Sequence, residues 1–574
     1  MIKIKRREVP NINPLENSHL SKLIQKLYLS RGIKQIDQIN YKLANLHNPN
    51  QLSGIKTAAQ IVIDAMNDNK KIVIVGDFDA DGATATALCL RAIKAFGHHN
   101  IDYLVPNRFD FGYGLSTQLI PILAEMQADL IITVDNGISS IEGTQAAIDA
   151  DIQVIITDHH LPADVLPNAD AIVNPNLNGD EFPSKNLAGV GVVFYLLAEI
   201  RSQLNDLDWF VDKNIPIPNL AQWLDIVALG TVADMVGLDD NNRILVTEGI
   251  KRIKAGHTVA GIKALLKVAD RAIEKTNTET FGFVIAPRLN AAGRLEDMSI
   301  GIELLITDDE NKAFRLAQEL DGINQQRKEI QKDMQFLADS VVNELDKIKK
   351  LPKGICLFHN SWHQGVVGLL ASKIKEKTNR PVIAFAPEND ESDILKGSAR
   401  SISGFHIRDA LVQIETNHPN LMHKFGGHAM AAGLSINKQD YEQFREIFDT
   451  TVNDSLTEEQ RQHTIETDGE LESIDFCLAL AEELQEHGPW GQSFPAPLFD
   501  GWFNIMDKKE VGSGHTKLTL QTPDFSKRIG AIAFGIHPNL FKPEGDKNQI
   551  TFKLDINEFR GRKNLQLIVQ DIIN

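Results

Sequence analysis

The spacing of apolar residues changes period along the chain. From Lys71 to Asp158, unbroken apolar runs (KIVIV, IDYLVP, DLIITVD, IQVIITD) alternate with stretches of helical spacing such as ATATALCLRAIKAF and GTQAAIDAD. Uninterrupted β-branched runs set between helices predict a parallel sheet covered on both faces. In such a sheet, ligands gather outside the carboxyl ends of the strands. The residues before Lys71 carry helical patterns (LSKLIQKLYLSRGI, AAQIVIDAMND), and helical spacing returns from Gly189 to about Leu204 and through AQWLDIVALGTVADMVGL. Between Gly301 and Lys350 the pattern is long, charged and helical. That suits a surface helix or a rigid connector; the connector is favoured because a second strand–helix pattern starts at once with GICLFHN and runs to LSIN. After about Thr464 the chain breaks into strand-like pieces (TKLTLQT, RIGAIAFGI, QITFKLDI, NLQLIVQDI) separated by turn residues, which predicts a small β-barrel.

The expected fold class is therefore α/β. Two α/β domains (71–300 and 351–455) are joined by a connector helix (301–350), with an N-terminal helical extension (1–70) and a C-terminal barrel (456–574). A length of 574 residues fits such a division, at roughly 150 residues per domain. The three cysteines lie far apart without a C-x-x-C pair and read as reduced thiols, not a disulfide frame or a zinc site. The start, MIKIKRREVPNINP, has no apolar run behind it, and no segment reaches the roughly 18 apolar residues of a membrane span. A cytoplasmic protein with no membrane contact is expected. The net charge of −18 argues against a uniformly basic nucleic-acid binder, yet leaves room for a local groove. From Gly501 to Asn574 basic side chains outnumber acidic ones.

The chemistry concentrates where apolar runs end. In KIVIVGDFDADG, Asp77, Asp79 and Asp81 follow the first predicted strand. The D-x-D-x-D-G spacing is that of a calcium loop, but the twelfth position is Leu88 where that loop needs an acid, and a strand stands where it needs a helix. Asp135 ends LIITVD, Asp158 ends VIITD and is followed by His159 and His160, and Asp234 lies in GTVADM. One acid at a strand end is often only a helix cap; several acids with two histidines at one sheet edge are not explained by capping. Oxygen ligands with one or two imidazoles suit Mn2+ or Mg2+, and two such ions about 4 Å apart would clamp a phosphoryl group.

GDFDADG, VDNG, TDHH and GTVADM resemble the four acidic motifs of the DHH phosphoesterases. RLNAAGR, GSARS and FGGHAMAAG resemble later motifs of one branch, the bacterial single-strand-specific exonucleases, and the order holds over nearly the whole chain. The resemblance implies that the two α/β domains are DHH and DHHA1 domains and that the barrel is an OB-fold. It implies two divalent ions, Mn2+ or Mg2+, held by Asp79, Asp81, Asp135, His159 and Asp234, with Asp135 bridging. His160 would contact the scissile phosphate, and Asp158 would orient the neighbouring histidine. The small-substrate phosphatases of the superfamily carry a histidine where this chain has Val75; Asp77 is then a candidate replacement ligand.

For the substrate, the resemblance points to Arg108, Ser398 and Arg400 as a pocket for a 5′ phosphate, which suits guanidinium and hydroxyl groups. Gly426, Gly427 and His428 in FGGH offer close backbone approach, with His363 a weaker candidate. RLNAAGR admits two readings, packing alone or strand contact through Arg288 and Arg294. On the barrel, Trp502, Phe503, Lys508, Lys509, Arg560, Arg562 and Lys563 are candidates for a charged, aromatic strand groove. The implied activity is 5′-to-3′ exonucleolytic hydrolysis of single-stranded DNA to 5′-mononucleotides, in recombination and repair. The implied partners are a single-strand-binding protein and a repair helicase, and a monomer is expected. The alternatives are a DHH phosphodiesterase for short oligonucleotides or cyclic dinucleotides, which needs no barrel, and a non-catalytic strand binder, which would lack ligands.

Overall fold

A computed structural model describes residues 2–107, 114–347, 351–389, 392–457, 460, 462–512 and 514–573. The chain divides into two compact units: Val9–Asn324 with Glu486–Ala496, and Met1–Glu8 with Gln325–Gln485 and Pro497–Asn574.

At the centre of the first unit is a parallel five-stranded sheet, in the order Ile101–Leu104, Ile72–Gly76, Leu130–Val134, Gln153–Thr157, Ala171–Val173. Every residue of Ile72–Gly76 and Leu130–Val134 is buried, which is why the runs are unbroken rather than alternating. Val73, Val75, Ile131, Val154 and Ile156 share one apolar core with Leu119, Leu123 and Ala147. Val75 is thus a core residue on one sheet face, packed among apolar neighbours. Over the sheet, helix Ala80–Ala95 packs on Gly189–Asp206 and Leu224–Ala233. After Ile72–Gly76 the chain pairs to one side, then returns to pair Leu130–Val134 on the other. The order reverses between these two strands, and the crevice at their carboxyl ends is where such sheets bind ligands.

Helix Glu310–Lys347 confirms the long charged pattern, although Ser299–Ile306 forms a separate helix before it. The division between the units falls inside the long helix, at Asn324. The second unit holds a five-stranded sheet in the order Lys424–Gly427, Ala431–Asn437, Ile394–Arg400, Val382–Pro387, Ile355–Phe358. Its last two strands run parallel and its other pairs antiparallel. A closed barrel follows, formed by Phe499–Val511, His515–Gln521, Arg528–Ala533, Arg562–Ile573 and Lys547–Phe559.

The N-terminal residues depart from the helical expectation. Lys3–Arg6 is a strand, parallel to Thr464–Thr467. Its anchor is electrostatic: Arg6 Nη2 lies 2.8 Å from Asp500 Oδ2, and the Asp500 carboxylate is fully buried and also accepts from Thr467 Oγ1 at 2.6 Å. No helix among the described residues is long and apolar enough to cross a membrane.

Candidate metal centre

Each acid singled out in the sequence of the first unit lies at the carboxyl edge of the parallel sheet. Asp79 caps helix Ala80–Ala95, its Oδ1 accepting from the N–H of Asp81 at 2.8 Å and of Gly82 at 3.1 Å. Asp81 is buried and accepts from the N–H groups of Gly189 (2.6 Å) and Val190 (3.0 Å), at the start of Gly189–Asp206. Asp135 takes a left-handed backbone, φ 63°, an uncommon conformation for a residue with a side chain. Gly189 permits this crowding, since a Cβ there would fall 2.5 Å from the Cβ of Asp135.

Ligand atoms converge in three overlapping groups, each within 4.8 Å: Asp77, Asp79 and Asp135; Asp81, His159 and Asp234; Asp135, His159 and His160. His159 Nε2 lies 3.1 Å from Asp135 Oδ1 and 3.5 Å from Asp234 Oδ2. Burial, then the charge of a neighbouring aspartate, Asp79, pushes the Asp81 carboxyl up to about 7. Burial, then the charges of the neighbouring aspartates, raise Asp135 and Asp234 well above the usual carboxylate range. Crowded carboxylates of this kind are what a divalent cation relieves, and hard oxygens with an imidazole are the donor set of Mn2+ or Mg2+. The residues present fit such ions.

Asp158 is different in kind. Burial alone would raise its pKa, but it accepts from the Nδ1 of His160 at 2.7 Å and from the N–H groups of Ile138, His159 and His160, and it ends below the carboxylate range. His160 moves the opposite way: burial opposes its charge, the Asp158 carboxylate outweighs burial, and its pKa rises to about 9. The Nδ1 of His160 is thereby committed to Asp158. The amides of Asn174 and Asn176 fix the backbone behind them, donating to the carbonyls of His160 and His159.

Two supporting residues escaped the sequence reading. Asn290 Oδ1 accepts from the N–H of Ala80 at 2.8 Å, and Gly293 packs so closely that a Cβ would lie 1.7 Å from the carbonyl oxygen of Phe78. Both belong to RLNAAGR, so that motif braces the Asp77–Asp81 loop. The paired glycine and asparagine were the available signal. Arg288, considered for strand contact, is buried instead, with Nη2 2.8 Å from Asp321 Oδ1 and Nη1 donating to the Val284 carbonyl. Arg294 is half-buried, and Arg108 lies outside the described residues.

In the second unit, Ser398, Gly433 and Gly426 stand in one row across three strands, and Arg400 is two residues along the same face. Nothing would meet a Cβ at Gly426 or Gly433, so this row is bare backbone beside a hydroxyl. Arg400 Nη1 donates to Ser398 Oγ at 2.9 Å. Gly427 closes the strand before exposed His428, whose N–H donates to Ala431 O. The His363 ring accepts from the N–H of Gly365. On the barrel, Trp502 is exposed whereas Phe503 points into the core, as strand alternation requires. Lys508 is bound to the carbonyls of Pro538, Phe541 and Lys542; Lys509, Arg560 and Arg562 are exposed, and Lys563 reaches Glu482.

The sheet and its acidic edge define a DHH-type phosphoesterase: residues 71–231 match the DHH family, N-terminal domain, residues 350–454 the DHHA1 domain, and residues 467–571 the RecJ OB domain. The single-stranded-DNA-specific exonuclease RecJ of Escherichia coli (strain K12) is 48% identical over 573 residues, covering 100% of this chain and 99% of that protein. The chain belongs to the RecJ family. Among solved structures, RecJ from Thermus thermophilus in complex with Mn2+ aligns with a TM-score of 0.83 at 26% identity, covering 100% of this chain and 80% of that one. The complex of the same protein with Mg2+ aligns at 0.76 and 25% identity, covering 100% and 78%.

Proposed function

We propose that the carboxyl edge of the parallel sheet hydrolyses single-stranded DNA from its 5′ end and releases 5′-mononucleotides. The observation that carries this reading is the overlap of three ligand clusters on Asp135 and His159. Asp77, Asp79, Asp81, Asp135, His159 and Asp234 would hold two divalent ions, Mn2+ or Mg2+. Such a pair of ions neutralises charge on the phosphoryl group and makes water a competent nucleophile near neutral pH. Asp158 holds the His160 ring by Nδ1 and so orients it, and Nε2–H donates to a phosphate oxygen and polarises it. Ser398, Arg400, Gly426, Gly427 and His428 bind the 5′ phosphate, and Arg294 contacts the strand. Exposed Trp502, with Lys509, Arg560 and Arg562, supplies base stacking and backbone charge on the barrel. The enzyme acts in the cytoplasm as a monomer, in recombination and repair. A helicase supplies its ends and a single-strand-binding protein accompanies it.

The test is one single-stranded DNA, labelled at either end and incubated with the protein and Mn2+. Immediate release of the 5′ label as mononucleotide, with a shrinking ladder from the 3′ label, is expected. Hydrolysis of di- and trinucleotides with both long-strand labels untouched would overturn the reading in favour of an oligonucleotide phosphodiesterase.

A further inference from the structure

Asp234 sits at a junction. It ends helix Leu224–Ala233, and Met235 after it is left-handed, φ 62°, and exposed. A non-glycine residue persists in that region only where its surroundings over-determine it. The determinants lie just downstream. Asn242 Nδ2 donates to the Gly237 carbonyl, Arg243 Nη1 donates to the Leu238 carbonyl, and the Leu238 N–H donates to the carbonyl of Gln492 at 2.8 Å.

Gln492 belongs to Glu486–Ala496, a segment distant in sequence that nevertheless forms part of the first unit. This strap is anchored throughout. Trp490 and Phe494 stack at 5.3 Å, Arg243 lies 4.4 Å over the Phe494 ring and Arg31 lies 5.2 Å over Trp490. Thr278 Oγ1 donates to the Trp490 carbonyl at 2.7 Å, and Arg31 Nε donates to that of Pro495 at 2.8 Å. Arg243 therefore touches both the strap and the loop behind Asp234.

We propose that the strap Glu486–Ala496 is a positioning element for Asp234: through Gln492, Trp490 and Phe494 it pins the loop that follows this ligand and so sets the geometry of the metal centre. The inference rests on Asp234 being a ligand, as proposed above. Because the strap continues directly into barrel strand Phe499–Val511, the metal centre depends on residues that adjoin the barrel in sequence.

The test is calorimetric titration of the full chain with Mn2+, without DNA, for wild type, Trp490→Ala/Phe494→Ala and Asp234→Asn. Residues that orient metal ligands typically cost about 10–100-fold in affinity when removed, and a loss of about tenfold is expected for the double variant. Binding of single-stranded DNA in EDTA should stay at the wild-type level. Wild-type Mn2+ affinity in the folded double variant, beside a weakened Asp234→Asn, would overturn the strap's role alone. Wild-type affinity in Asp234→Asn would remove the ligand assignment and the inference with it. Should the double variant not fold, Thr278→Val/Phe494→Leu takes its place. It is expected to bind Mn2+ several-fold more weakly, and unchanged affinity would overturn the inference equally.

Discussion

Replacing Gly293 by alanine strikes the metal loop without altering a single ligand. The added Cβ would lie 1.7 Å from the carbonyl oxygen of Phe78, between Asp77 and Asp79. A carbon and an oxygen settle at roughly 3.2 Å or more, near the lower end of non-bonded contact distances, so one partner must move by about 1.5 Å. Gly293 is buried in helix Ala286–Leu295, whose Asn290 holds Ala80, so the Asp77–Asp81 loop is the part that yields. A misplacement of about 1 Å costs on the order of 10²-fold in rate. Gly293→Ala should therefore lower kcat on 5′-labelled single-stranded DNA about 100-fold. Asn290→Ala, which leaves one backbone N–H without its acceptor, should cost about tenfold, in keeping with roughly 1–3 kcal/mol for such a group. The assay is single-turnover release of the 5′ nucleotide at saturating Mn2+, with thermal unfolding run alongside to establish that each variant is folded. A folded Gly293→Ala protein that turns over at the wild-type rate would refute the idea that RLNAAGR braces the loop.

Other consequences follow from the same geometry. Arg400→Ala should reduce kcat/KM on 5′-phosphorylated strands at least tenfold while changing it little on 5′-hydroxyl strands, as measured by competition between the two. Metal-free protein should lose stability as pH rises. The Asp81 carboxyl, raised from near 4 to about 7 by burial and by Asp79, contributes stability that is complete below its unfolded pKa and lost as pH climbs through about 7. Unfolding in EDTA should thus be harder at pH 5 than at pH 8, and excess Mn2+ should abolish or reverse that order. Arg6→Ala should cost the barrel unit about 2 kcal/mol in urea unfolding, because it leaves the buried Asp500 carboxylate without its cation; half-exposed Arg6 keeps this below the full cost of breaking a buried pair.

What the sequence disclosed and what it withheld divide along physical lines. The strands of the parallel sheet were legible because burial on both faces writes continuous β-branched runs, and their acidic ends were legible because Asp77, Asp135 and Asp158 each directly follow such a run or end it. The same signal failed at Lys3–Arg6, a short charged edge strand whose partner at Thr464–Thr467 lies at the other end of the chain. No local period encodes such a pairing. Glu486–Ala496 read as part of the tail because its stacking on Tyr28, Arg31 and Arg243 is entirely non-local. Arg288 illustrates a third limit: the motif drew attention to its charge, but only the fold reveals Asp321 beside it. Trp502 and Phe503 were equal candidates in sequence and were separated only by knowing which strand face is the core.

In the proposed metal centre, six side chains at one sheet edge would hold two divalent ions. The most direct measurement is an anomalous difference map at the manganese edge from crystals of the full chain soaked in Mn2+. Two peaks about 4 Å apart, one beside Asp77 and Asp79, one beside Asp81 and Asp234, and both within reach of Asp135, are predicted. Peaks elsewhere on the chain, or an edge without manganese while the enzyme in the same solution degrades single-stranded DNA, would contradict it.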